Sequence, residues 1–357
     1  MKALILERYG DAKSWRLLEA PMPSLKPHEL LVRVHAAGLN PVDFKTREGK
    51  LRVVQRYRLP IVMGNELAGV VEACGSDVTR FAPGDRIFAR VPKDQMGAFA
   101  EYAAVPEHVV AKIPPLLDFE AAASVPLAGL TALQALRDEL KVGTGDKVLI
   151  TGGAGGVGTF AIQIAKWLGA HVITTASPRG KDLVERLGAD EVINYTEGQI
   201  ADHVRDVDGV FDLVGGEALN QSFGVVKRGG TVVTVVATPE PETARKDLGR
   251  GKLLQALFWL ASFTLRAKAK RNGARYRFLF MHPSAAELSE LASLIEAGTL
   301  TPVIDHVFQF AEIEKAFRYL EEGRAKGKVV VTMRPESTIN NGSCGVGSGR
   351  SAIGTRI

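Results

Sequence analysis

Lys147-Val-Leu-Ile-Thr-Gly-Gly-Ala-Gly-Gly-Val-Gly158 is the stretch that decides the fold. A short apolar run over 147–150 breaks into glycines and then into a helical pattern over 157–168. Gly153-x-Gly155-x-x-Gly158 therefore stands between a strand and a helix, the setting in which this spacing carries meaning. One glycine permits a tight turn, one lets the backbone approach a pyrophosphate, and one lets helix and strand pack closely. The helix start then offers backbone N–H groups to the phosphates. Gly153, Gly155, Gly156, Val157 and Gly158 are read as dinucleotide contacts.

The strand over 171–175 chooses between cofactors. In an NAD site this strand ends in an acid that bonds the ribose 2′-hydroxyl, about 20 residues past the glycines. Here the chain runs Thr175-Ala-Ser-Pro-Arg-Gly-Lys181, with no carboxylate before Asp182. A hydroxyl and two cations suit a 2′-phosphate, because charge-assisted bonds to phosphate are strong. Ser177, Arg179 and Lys181 therefore point to NADPH.

On either side the pattern changes character. Residues before about 120 read as β-rich, with runs over 30–34, 68–73, 86–89 and 109–113 set off by turn signals such as Pro83-Gly84-Asp85. From about Phe119 helix and strand alternate: helices over 128–140, 157–168 and 181–187, strands over 147–150, 171–175, 191–194, 210–214, 231–236 and 276–281. That alternation implies βαβ units and a parallel sheet, an α/β fold. A helix over 285–297, a strand over 302–310, a helix over 311–322 and a strand over 329–333 follow. Residues 335–357 are rich in Gly and Ser without periodicity and read as a disordered tail.

Composition excludes several classes. With 46% hydrophobic and 24% charged residues, the 357-residue chain is an ordinary globular one, long enough for two domains. Cys74 and Cys344, the two cysteines, form no C-x-x-C motif, so a reducing, cytoplasmic setting without structural zinc is expected. The net charge of +5 is local in origin: eight Lys or Arg and no acid occur between Leu248 and Ala286. That balance does not make a nucleic-acid-binding protein. No signal peptide is visible, and the apolar run over 253–265 is short of the roughly 20 residues that a span needs. An isologous homodimer is the ordinary expectation for the assembly.

Further segments complete a pattern: Ala37-Gly-Leu-Asn-Pro-Val-Asp43, Gly64-Asn-Glu-Leu-Ala-Gly69, Pro83-Gly-Asp-Arg-Ile87, Leu187-Gly-Ala-Asp190, Asp212-Leu-Val-Gly-Gly216 and Gly327-Lys-Val-Val330. With the glycine-rich turn, they make residues 1–334 resemble the medium-chain dehydrogenase/reductase superfamily, in its zinc-independent quinone oxidoreductase-like branch. The resemblance implies a GroES-like β-rich catalytic domain over 1–122, a Rossmann NADPH domain over 123–282, and a return to the catalytic domain over 283–334. It implies that Ser177, Lys181 and Tyr195 sit near the 2′-phosphate, Thr131 near the nicotinamide, and Phe278 and Lys328 at later cofactor contacts.

The zinc enzymes of this superfamily carry Cys and His where this chain has Asn40 and Asn65. Amides are poor zinc ligands, so no metal is expected, and with it goes the Lewis acid for alcohol oxidation. The reaction implied is hydride transfer from NADPH to a quinone or to the activated C=C bond of an α,β-unsaturated carbonyl, a small hydrophobic substrate. The alternatives are a 2-alkenal or enoyl reductase without quinone activity, and a non-catalytic NADPH-binding sensor. Asn40 is the expected hydrogen-bond donor to the substrate oxygen or nicotinamide. Tyr57, Lys45 or water supplies the proton, Tyr57 being the natural side chain. Asp43 holds the Asn40 loop, and Glu66 is a buried ion-pair partner.

One segment stands outside this scheme. Leu253 to Leu265 is apolar on nearly all sides and is followed by Arg266, Lys268, Lys270 and Arg271. Three readings are open: a lid over the substrate cleft, a subunit contact, and a peripheral membrane contact over 253–271.

Overall fold

The computed structural model describes residues 1–333. The expected tail over 335–357 lies outside the described residues. Six parallel strands form the dinucleotide sheet, in the spatial order Glu191–Asn194, His171–Ala176, Lys147–Ile150, Val207–Asp212, Val226–Thr234, Arg275–Phe278. Chain order reverses between Lys147–Ile150 and Val207–Asp212. Ligands bind at that switch point, beyond the carboxyl ends of the strands. Val148, Leu149 and Ile150 are all buried because helices cover both faces of a parallel sheet.

The catalytic half is antiparallel apart from one pairing. Its seven-stranded sheet runs Ile304–Gln309, Lys328–Thr332, Glu29–Leu39, Glu66–Cys74, Arg86–Arg90, Val110–Lys112, with Tyr102–Pro106 pairing the first half of Glu29–Leu39. A three-stranded sheet of Trp15–Glu19, Lys2–Leu6 and Ile61–Val62 packs nearby. The late strand Lys328–Thr332 pairs with the second half of Glu29–Leu39, Val329 opposite Leu39. Both ends of the described chain thus build one sheet around the inserted parallel one.

Three elements depart from their expected form. The helix expected over 181–187 spans Pro178–Arg186. Ser177 is its extended cap residue and Pro178 its first turn, where a missing N–H costs nothing. The segment expected as one helix over 128–140 is Pro126–Leu133 running into a π-helical stretch, Gln134–Leu140, which ends at left-handed Lys141. The apolar run over 253–265 divides at Ser262 into Lys252–Ala261 and Phe263–Arg271. None of it lines the cleft, so it is not a lid. Leu253, Leu257, Trp259, Leu260 and Phe263 are exposed.

Candidate active site

The glycine-rich turn opens onto a cavity of about 990 Å³ between the two halves. Gly152 makes the tight turn at φ +71°. Gly153 lies beneath it: a Cβ there would come within 2.1 Å of Thr174 Oγ1, so Gly153 serves packing and does not line the cavity. Gly155, Gly156, Val157 and Gly158 do line it. Gly155 caps the helix Gly156–Trp167, and its cap position makes no side-chain hydrogen bond to the first-turn N–H groups. That leaves an anion site of the kind a pyrophosphate fills. The far wall comes from the other half, where Gly327 N donates to Ala154 O at 2.9 Å.

At the adenosine end the sequence expectations divide. Ser177 and Tyr195 line the cavity. Arg179 and Lys181 do not; Lys181 instead lies 3.8 Å from Glu185, one helical turn on. The cation that the structure brings in is Lys326, whose Nζ donates to Ser177 Oγ at 3.4 Å. Local reading around residue 177 missed it because it arrives from 149 residues away. Its one sequence signal is the run Arg324-Ala-Lys-Gly-Lys328 beside the Gly327 motif. Leaving out Lys328, which is paired with Glu66, the cations Lys45, Arg90, Lys93 and Lys326 line the cavity against one carboxylate, Glu217. This excess of cations suits a polyphosphate ligand.

Thr131 and Phe278 also line the cavity, Thr131 with its hydroxyl donated back to Leu127 O. Asp212, fully buried, holds the opposite loop: it accepts from Thr151 Oγ1, Thr234 Oγ1 and Gly215 N. Leu213 and Val214, which line the cavity, are placed by it.

At the catalytic end a buried polar network replaces the expected free donor. Asn40 Nδ2 donates to Glu66 Oε1 at 2.7 Å and to Gly38 O at 3.3 Å. Asn40 Oδ1 accepts from Lys328 Nζ at 2.6 Å. Both amide hydrogens are spent, so Asn40 lines the cavity without a hydrogen left for a substrate oxygen. Lys328 Nζ also donates to Glu66 Oε1 at 2.6 Å and to Leu39 O at 3.3 Å, which spends its three N–H groups. Only the Lys328 stem faces the cofactor loop: a Cβ on Gly156 would lie 2.9 Å from Lys328 Cδ. Asp43 accepts from Asn40 N at 2.8 Å and from Asn65 Nδ2 at 2.6 Å. Burial pushes Asp43 up to about 7, against the pull of those two bonds.

Tyr57 is not brought to the cleft. Its hydroxyl donates to Lys93 O at 2.5 Å, its ring packs in the core around Leu6 and Phe317, and burial pushes its pKa up to about 12. A phenol so held is a positioning group for the Lys93 loop and not a proton donor to the cavity. Lys93 is the group that lines it. Its Nζ sits 4.0 Å from the centre of the Phe280 ring and donates to Phe280 O at 3.2 Å. Burial brings its pKa down to about 7, with the Arg90 charge adding to that and Asp247 opposing it.

Comparison with known proteins fits this geometry. Residues 26–115 match the model for the alcohol dehydrogenase GroES-like domain, and residues 187–331 that for zinc-binding dehydrogenase. The NAD(P)H oxidoreductase RTN4IP1, mitochondrial, of Danio rerio is 35% identical, covering 93% of this chain and 91% of its own. The NADPH-dependent alkenal/one oxidoreductase, chloroplastic, of Arabidopsis thaliana is 36% identical, covering 93% and 79%. The quinone oxidoreductase from Coxiella burnetii superposes with a TM-score of 0.80 at 35% identity, covering 94% and 99%. The chain belongs to the quinone oxidoreductase-like branch of the medium-chain dehydrogenase/reductase superfamily. It is an NAD(P)H oxidoreductase of that branch.

The zinc in one model's description does not fit this member's residues. Zinc takes thiolate, imidazole and carboxylate. Here Asn40 and Asn65 are amides, and the two carboxylates beside them are already engaged: Glu66 by the Lys328 ammonium, which also bonds Asn40, and Asp43 by the Asn65 amide. Among the described residues no three His, Cys, Asp or Glu side chains come together. No step of the reaction is assigned to a metal.

Proposed function

We propose that this oxidoreductase uses NADPH, without metal, to reduce quinones or the activated C=C bonds of α,β-unsaturated carbonyls. One observation carries the reading: a single cavity is lined both by the glycine-rich turn and by the apolar Val42, Leu51, Phe280 and Met281, with the Lys93 ammonium set against the Phe280 ring. The bound nicotinamide cofactor supplies the hydride. The chain binds it through the backbone at 155–158 and through Ser177 and Lys326 at the 2′-phosphate. The apolar recess excludes water from a flat conjugated acceptor and strengthens charge interactions inside it. As negative charge reaches the acceptor's oxygen, Lys93 stabilises it and passes a proton from Nζ, then recovers one from solvent. Two cysteines without a C-x-x-C motif support a reducing, cytoplasmic setting.

The test is NADPH oxidation followed against a naphthoquinone, a short enone, a 2-alkenal and an aliphatic aldehyde, with NADH and EDTA controls. Turnover of quinone or enone that EDTA leaves unchanged is expected. Turnover of the plain aldehyde alone, abolished by EDTA, overturns the reading, as does tight NADPH binding without turnover of any acceptor. The acceptor preferred separates quinone from alkenal reductase.

Two substitutions probe the parts. Lys326→Ala is expected to raise the KM for NADPH about ten-fold and leave that for NADH nearly unchanged, since one charge-assisted bond is lost. Equal effects on both cofactors would remove Lys326 from the 2′-phosphate. For Lys93, the donating form is the protonated one, so kcat/KM falls as pH rises through about 7. Lys93→Gln is expected to flatten that limb and to cost about 100-fold below it, water supplying the remaining proton flux. A variant that keeps the wild-type pH profile would exclude Lys93 as the acid.

A further inference from the structure

The helices Lys252–Ala261 and Phe263–Arg271 carry five exposed large hydrophobic side chains within eleven residues, and the cleft uses none of them. Leu253 is 88% exposed, Leu260 66%, Phe263 55% and Trp259 49%. A monomeric protein rarely leaves such side chains side by side in water. They are held in place, not frayed. Ser262 Oγ donates to Phe258 O at 2.6 Å, and Arg266 reaches back to Ser262 Oγ at 3.0 Å and Trp259 O at 2.8 Å. Its guanidinium lies 5.3 Å from the Trp259 ring centre, and Trp259 packs on Phe263 at 6.0 Å. Buried Phe258 and Ala269 anchor the pair from beneath.

Around this ridge lie exposed Arg250, Lys252, Lys268, Lys270 and Arg271, with no Asp or Glu between Leu248 and Ala286. The acids that precede the stretch are already engaged: Asp247 accepts from Arg277 at 2.5 Å and Glu242 from Arg275 at 2.9 Å. We infer that this helical pair docks the protein on an anionic phospholipid surface, with Trp259, Leu260 and Phe263 in the interfacial layer and the cations over the headgroups. A helix face that pairs apolar side chains with Lys and Arg is what such a surface binds. A second copy fits less well. An isologous contact sets the same patch against itself, and here it would face cations with cations. At 10 and 9 residues neither helix can span a bilayer, so the contact is peripheral. The inference stands apart from the choice of acceptor.

The test is flotation of the full chain with phosphatidylcholine vesicles, with and without phosphatidylserine, at low salt and at about 0.5 M salt. Binding only to the mixed vesicles, reversed by salt, with a blue shift of tryptophan fluorescence that Trp259→Ser removes, is the expected result. Lys268→Gln/Lys270→Gln/Arg271→Gln is expected to weaken it about 100-fold. Leu260→Gln/Phe263→Ser is expected to abolish it while turnover of a water-soluble quinone and the circular dichroism stay at wild-type values. Failure to bind mixed vesicles at low salt overturns the inference. So does self-association that the Leu260→Gln/Phe263→Ser variant dissolves, which would give the ridge to a second copy.

Discussion

Arg277→Met is expected to destabilise the protein by about 3–5 kcal/mol, the cost of stripping the partner from buried charges. Arg277 is fully buried and bonds three acids: Glu139 at 3.0 Å, Glu240 at 3.2 Å and Asp247 at 2.5 Å. Methionine fills similar volume, so the loss is electrostatic rather than a cavity. Lys246 remains on Glu139, but the other two carboxylates lose their guanidinium. At about 2–4 °C per kcal/mol for a chain of somewhat smaller size, the melting temperature should fall by roughly 10 °C. The pH dependence separates charge from packing. Burial pushes the Glu139 carboxyl up, but its bonds from Arg277 and Lys246 outweigh that and hold it below its ordinary value. A depressed carboxyl gives stability that is present above its unfolded pKa and lost as pH falls through the folded one. The gap between variant and wild type should therefore narrow toward about pH 4. A gap constant with pH would mean that packing, not charge, was lost. Glu240→Gln in the Arg277→Met background should recover part of the loss.

Gly158→Ala is expected to weaken NAD(P)H binding by about 10- to 100-fold, the loop giving up its binding geometry to escape an overpacked contact that costs about 1–3 kcal/mol. A Cβ at Gly158 would lie 2.4 Å from Gly152 O and 2.7 Å from Gly153 C. Those are backbone atoms and cannot rotate away. The loop must move off the helix, and with it the amides at 155–157 that face the cavity. Gly224→Ala, where a Cβ meets nothing within 4 Å, is the control and should leave binding unchanged. Cofactor titration by fluorescence reads both. An unaltered affinity in Gly158→Ala would mean that the loop has slack that the packing does not show.

The dinucleotide sheet was readable because its signals are local. Gly152 to Gly158 sit within seven residues, and each strand carries its own apolar run. The catalytic end was not, because its chemistry is made by pairing across the chain. Lys328 reaches Glu66 over 262 positions and Asn40 over 288. Nothing near Asn40 tells that its amide is already bonded. Tyr57 misled for the same reason: its partner, the Lys93 carbonyl, is 36 residues away. The run over 253–265 left three readings open because a helix apolar on nearly all sides wants to be covered, and no local rule says by what.

The strand Lys328–Thr332 lies between Ile304–Gln309 and Glu29–Leu39. A ribosome releases it last of the described strands. Until then the edge at residues 36–39 has no neighbour on that side, and Glu66 faces no ammonium. Domains generally fold as units in the order of synthesis, and the parallel sheet over 147–278 is complete well before Lys328 leaves the ribosome. The half of the protein translated first is thus the half that matures last. A nascent chain stopped short of Lys328 carries a formed nucleotide fold beside an open strand edge, the kind of edge that recruits other chains. Quality control would meet that species, and a single late lysine marks the point at which it disappears.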